Sequence, residues 1–195
     1  MSAFAEKRLI YESLESSKDG SRQYHNAIFV GYDPEGKARH AHKKGIYTMG
    51  KSYRGNLESS DPRYSFHWNG KSSEIYVFEA PIDLLSYISL HKAGWKDHSY
   101  VALCGVGSQV LFQMLQDRPE LKKIHLCLDH DIAGLKAAER IRQSLAEAGY
   151  PDVELELSIW KDWNEDIKAM RGVEAIPAEE KPPPQMVEEG ILQMA

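Results

Sequence analysis

The chain has 195 residues, enough for one good-sized domain or a compact core with an appendage, and its apolar and charged fractions of 42% and 27% are those of a globular protein. No apolar run is long enough to span a bilayer, and the N-terminus MSAFAEKRLIYE lacks the basic-then-apolar order of a secretory signal, so no membrane partner and a cytoplasmic location are expected. A net charge of −5 excludes a uniformly basic protein, and the two cysteines, Cys104 and Cys127, have neither the count nor the spacing of a zinc module, so no structural zinc is expected.

In chain order, residues 1–72 are rich in Tyr, Ser, Gly and His. Their strand-like pieces, HNAIFVGYD and KARHAHKKG, are joined by the turn signal DPEG. This pattern predicts a small basic α+β subdomain built on a β-hairpin that turns at Pro34–Gly36. Residues 73–170 then alternate regularly. The apolar run EIYVFE predicts a strand, and PIDLLSYISLHKAG a helix with Pro at its start. SYVALCG, SQVLFQMLQ and KIHLCLD predict a strand, a helix and a strand. In IAGLKAAERIRQSLAEAG, Leu135, Ala138, Ile141, Leu145 and Ala148 recur at helical spacing and Gly149 closes the helix. VELELSIW predicts a last strand near a sheet edge, from the alternation of Val153, Leu155, Leu157 and Ile159. Short strand–helix connections imply right-handed crossovers, hence an α/β fold with a mostly parallel four-stranded sheet flanked by helices. Residues 171–195, with Pro182–Pro184 and several glutamates, read as an acidic tail that ends in a short helix or none.

The acidic residues sit where such a sheet binds ligands, beyond the carboxyl ends of its strands. Glu79 ends the first strand and Asp83 falls in the first turn of the next helix. Asp129 ends the third strand, Asp131 lies two residues on, and Asp162 follows the fourth. Taken singly, Asp83 or Asp131 reads as a helix N-cap. Together, the five carboxylates repel one another and call for a cation, and oxygen donors without a dominant Cys or His point to Mg²⁺ or Mn²⁺. Gly134, just after the acidic pair, leaves room for a close backbone approach.

VFEAPIDLLS, LCLDHDIAGLKAAERI and KDWNED together resemble the Toprim domain in its bacterial primase-like form. NAIFVGYDPEGKARHAHKKG and SSDPRYSFHW are similar to the segment before Toprim in primases, and more so to primase-like proteins of plasmids and conjugative elements. The resemblance implies a Toprim fold with Glu79, Asp83, Asp129, Asp131 and Asp162 as metal-binding acids, Glu79, Asp129 and Asp131 being catalytic and Lys161 beside them. Its implied partners are single-stranded nucleic acid, nucleotide triphosphates and replication proteins such as a helicase. Ala80 and His130 depart from the pattern, standing where glycine is common.

Between Gly36 and Leu57 there is no acid, while Lys37, Arg39, Lys43, Lys44, Lys51 and Arg54 all fall there with Tyr47 and Tyr53. Cations that track phosphates beside aromatics that stack bases are the ingredients of single-strand binding, and this window is the expected nucleic-acid contact. His40 and His42, which alternate with Arg39 and Lys43, read as extensions of the basic face. The sequence therefore predicts a Mg²⁺-dependent nucleotidyltransferase of the DNA primase-like class. A Toprim nuclease using the same acids and a non-catalytic nucleic-acid-binding module of a mobile-element protein are the alternatives.

Overall fold

The computed structural model describes residues 2–17, 19–46, 53–105 and 107–179. A short helix, α1 (Ser2–Glu6), leads into an antiparallel sheet of β1 (Ile10–Ser16), β2 (Gln23–Tyr32), β3 (Ala38–Gly45) and β4 (Arg54–Asn56), paired in that order. The expected hairpin is β2–β3. Its turn closes where the Asp33 N–H donates to Lys37 O and the Gly36 N–H to Asp33 O, with Gly36 at φ 77°. The sheet packs one face inward, through Ile10, Ala27 and Phe29. His40 and His42 turn inward as well and are buried, so they do not extend the basic face. Burial takes the His40 imidazole down to about 4 and also lowers that of His42.

The second sheet joins β5 (His67–Trp68), β6 (Glu74–Phe78), β7 (Ser99–Ala102), β8 (Lys123–Leu126) and β9 (Val153–Leu155) in the order β5-β7-β6-β8-β9. Four of these run parallel, and β5 pairs antiparallel with β7 through His67↔Val101 and Trp68↔Tyr100. The expected four-stranded sheet is thus a mixed, five-stranded one. The extra strand is only two residues long and comes from the segment read as the first subdomain. Trp68 draws it in by packing against Phe4 and Trp95.

Helices α2 (Pro81–Leu90), α3 (Gln109–Asp117), α4 (Ile132–Glu147) and α5 (Trp163–Met170) complete the fold. Strand alternation sorts two cores. Ile75 and Val77 of β6 pack with Leu111, Leu126, Ile141 and Leu145, whereas Phe78 packs with Phe4, Phe29, Phe66, Leu84 and Trp163. The second core includes residues of both sheets, so apolar packing joins the antiparallel sheet to the central one. β9 lies at the sheet edge, as its alternation suggests, but it is shorter than VELELSIW. Past Leu155 the chain leaves the ladder because the Ile159 and Trp160 N–H groups donate to the Asp166 carboxylate, and Ile159 is left 82% exposed. Among the described residues no helix is long and apolar enough to cross a membrane.

Candidate active site

The carboxyl ends of β6 and β8 open on a pocket of about 470 Å³, lined on one wall by Glu79, Asp83, Asp129, Asp162 and Lys161. Each acid is placed by a local rule. Glu79 follows β6, and Asp83 lies in the first turn of α2. Asp83 does not cap that helix, whose N-cap is Ala80 with no side-chain bond; its Oδ1 accepts from the Asn164 N–H at 3.3 Å. Asp129 follows β8, and Asp162 caps α5 by accepting from the Glu165 N–H at 2.8 Å.

Asp131 is held differently. Its Oδ1 caps α4 by accepting from the Gly134 N–H at 2.8 Å, and its Oδ2 lies 3.4 Å from Lys161 Nζ. The D-x-D pair therefore does not aim both side chains into the pocket. Asp131 lines a neighbouring hollow with Ile132, Lys136 and Arg140, where its charge still bears on Glu79 and Asp129. Gly134 is required for this packing. A Cβ there would stand 2.1 Å from Asp129 O and 3.0 Å from Glu79 Oε1.

The electrostatics are those of crowded, partly dehydrated acids. Burial and then the charge of Asp131 raise the Glu79 carboxyl. Burial, followed by Glu79, Asp162 and Asp131, takes Asp129 up to about 7. Burial and then Asp162 push Asp83 well above the usual range, and burial raises Asp162 too. Among the described residues no three His, Cys, Asp or Glu side chains are gathered closely enough to ligate one ion. The acids surround a space. That suits Mg²⁺ better than a closed cage would, because this ion takes one or two carboxylates and completes its shell with water and substrate phosphate. Glu79, Asp129 and Asp162 are the acids of the pocket wall from which one or two could ligate such an ion.

The opposite wall comes from the antiparallel sheet, through His42, Lys44, Arg54 and Gly55. Side chains alternate along β3, so Lys44 faces the acids while Lys43 faces away, with Nζ 2.9 Å from both Glu15 oxygens. Arg39 pairs with Asp33 at 2.5 Å beside the hairpin turn, and Lys37 stands in that turn. Lys51 and Tyr47 lie outside the described residues. Of the predicted basic window, Lys44 and Arg54 are thus the two described cations that line the pocket.

Residues 171–179, the start of the segment read as a tail, return past this site. The Lys161 N–H donates to Ile176 O at 3.0 Å, Trp160 bridges to Pro177, and the Glu179 N–H donates to His130 O at 2.9 Å. Buried Glu165 accepts from the Ile176 N–H at 2.8 Å and from Lys168. His130 also explains its own departure from glycine. Its Nδ1 meets Ser158 O at 2.7 Å, and its N–H donates to Lys161 O, so it ties the loop after β8 to the loop before α5.

Residues 76–167 match the Toprim-like family. The chain carries a Toprim-like domain. Residues 1–72 match a second family, described as a protein of unknown function (DUF3991). The uncharacterized protein pXO2-78 of Bacillus anthracis is 30% identical to this chain, across 75% of this chain and 48% of that one. The chain spans about half or less of the length of the curated relatives it matches, 48% and 42%. Among solved structures, the primase fragment of the bacteriophage T7 primase-helicase protein superposes with a TM-score of 0.61 at 20% identity, covering 87% of this chain and 66% of that one. A DNA primase domain from Pseudomonas aeruginosa gives 0.52 at 17% identity, covering 86% and 54%. The fold is therefore primase-like across both sheets.

Two contributors to the Toprim-like site escape a reading of strand ends. Asn164, whose N–H meets Asp83, belongs to α5, a helix signalled only by the Asp162-x-x-Glu165 capping pattern. Asn56, between the two walls, carries no local signal.

Proposed function

We propose that this chain is the catalytic part of a Mg²⁺- or Mn²⁺-dependent nucleotidyltransferase of the primase-like class, joining nucleotides on a single-stranded DNA template. The observation that carries the reading is the pairing of unlike walls across one pocket, with Glu79, Asp83, Asp129 and Asp162 facing Lys44 and Arg54. A phosphoryl-transfer site needs both, acids to hold cations and cations to hold phosphates. Metal bound there would supply positive charge to the triphosphate and to the attacking and leaving oxygens.

The residues contribute the rest. Glu79, Asp129 and Asp131 hold the charge that attracts the ion, and Lys161 offsets part of their repulsion. Lys44 and Arg54 orient the phosphates. Glu79, whose carboxyl is raised by burial and by Asp131, is suited to take a proton from an attacking hydroxyl. Template contact through Lys37, Arg39 and Lys51 of the basic window, with Lys43 held instead by Glu15, and association with replication proteins such as a helicase, belong to the same proposal.

The test incubates the chain with single-stranded DNA, labelled nucleotides and Mg²⁺ or Mn²⁺, beside an end-labelled sample of the same strand. New labelled strands are expected, and Asp129→Asn with Asp131→Asn should abolish both synthesis and any metal-dependent rise in melting temperature. Shortened end-labelled strands without synthesis would reassign the site to a nuclease, the same acids then activating water.

A further inference from the structure

We propose that Asn56 is a positioning residue that bolts the cationic wall to the acidic edge, so that Arg54 meets the phosphate groups of a nucleoside triphosphate. This rests on the phosphoryl-transfer reading of the pocket and names the residue that holds its two walls in register.

The geometry is a relay of hydrogen bonds across the pocket floor. Asn56 Oδ1 lies 2.7 Å from Nδ1 of buried His42, and Asn56 Nδ2 donates to Cys104 O at 3.1 Å. The Cys104 N–H donates in turn to Glu79 O at 2.9 Å. One amide side chain thus links the antiparallel sheet to the backbone of the leading metal-ligand candidate, across 48 positions of sequence.

Two features show that the link sets a position rather than filling space. Strand β4 is three residues long and, among the described residues, pairs with β3 alone, so its ladder is a weak constraint on Arg54. Arg54 and Asn56 are two apart on that strand and share a face, which makes the Asn56 side chain the link from that face to the acidic edge. Cys104 has φ 51°, a left-handed conformation that costs a non-glycine residue energy and is held by surrounding contacts. The Asn56 donor satisfies the carbonyl at that turn, which lines the pocket together with Gly105. Without it the turn loses a reason to stay strained, and the cation and acid walls lose their common reference.

The test is a double-mutant cycle on the full chain, read as affinity for a non-hydrolysable nucleoside triphosphate in saturating Mn²⁺, with Mn²⁺ affinity and melting temperature measured alongside. Arg54→Ala should weaken nucleotide binding roughly tenfold, the loss expected for one charge-assisted contact. Asn56→Ala should weaken it nearly as much with Mn²⁺ affinity unchanged, and the two together should cost no more than Arg54→Ala alone. Should Asn56→Ala fail to fold, Asn56→Ser replaces it, because a hydroxyl at Cβ is too short to span both partners. Multiplying effects, or parental nucleotide affinity in the Asn56 variant, would overturn the inference while leaving the metal site standing. A parent chain that binds neither Mn²⁺ nor nucleotide would overturn both this inference and the function on which it rests.

Discussion

The antiparallel sheet turns Ile10, Ala27 and Phe29 to the core and leaves Tyr11, Tyr24 and Lys43 on its open side, whereas the central sheet is covered on both faces. The difference decides where each can carry chemistry. A sheet buried on both sides has no free face, so its polar residues collect beyond the strand ends, as Glu79 and Asp129 do. A sheet buried on one side divides neighbours in sequence between two environments, so Lys44 lines the pocket and Lys43 pairs with Glu15. The pocket combines the two arrangements, with strand ends from one sheet and a strand face from the other.

Four measurements sharpen or break this comparison. The largest effect is expected at a strand end. Glu79→Gln should lower turnover by roughly 100-fold or more, the scale of losing a group that acts on charge developing in the transition state. Its metal-free protein should melt no lower than the parent, because one of the crowded charges is gone. Parental turnover would return Glu79 to a merely structural role.

Next come two glycines, Gly31 in β2 of the antiparallel sheet and Gly134 in α4 beside the acids. A Cβ at Gly31 would stand 1.7 Å from Tyr64 O, and one at Gly134 would stand 2.1 Å from Asp129 O. Each Gly→Ala change should cost about 2–3 kcal/mol, as overpacking against backbone does. Only Gly134→Ala should also weaken metal-dependent stabilisation, and equal loss of metal response in both variants would deny the division between walls.

A smaller effect concerns pH. Raised carboxyl groups bind protons more tightly in the folded state, so folding is favoured as pH falls through those values and disfavoured as pH rises through them. With Asp129 up to about 7, the metal-free parent should lose about 5 °C more of its melting temperature between pH 5.5 and pH 7.5 than Asp129→Asn does, a comparison that cancels the opposite slope of the buried neutral His40 and His42, and Mg²⁺ should shrink the gap. Parallel pH profiles in the two metal-free proteins would mean the acids are less crowded than their burial implies.

The smallest effect tests the open face. Lys44→Glu should weaken single-stranded DNA binding and flatten its salt dependence, while Lys43→Glu should change binding little and act on stability instead, losing the Glu15 ion pair and the Tyr53 ring contact and setting two carboxylates side by side. Equal losses would spread the contact over both faces of the sheet.

The parts legible in the sequence are those written locally. Apolar runs bounded by polar residues gave strands β6, β7 and β8, and the acids at their ends followed directly. The 16-residue helix α4 was legible because its apolar spacing is long enough to establish a period. Short elements were not. β5 is two residues, and α5 buries only Trp163 and Glu165, too few for a stripe. The alternation from Val153 to Ile159 suggested a full strand, but the Asp166 carboxylate claims the backbone beyond it. The basic window looked uniform because charge counts ignore strand parity, which separates Lys43 from Lys44. Asn56 acquires its role only when position 104 is brought beside it.

The contacts made by residues 171–179 bear on how the protein can be dissected. Composition would invite an expression boundary at Arg171, where the helical and strand patterns stop. Such a cut removes the backbone partners of Lys161 and His130 and the N–H that meets buried Glu165. The loops that carry Asp131 and Asp162 would then be braced from one side alone. A fragment ending there would keep Glu79, Asp83, Asp129, Asp131 and Asp162 and still lose the splint behind them, so the folded unit extends at least through Glu179.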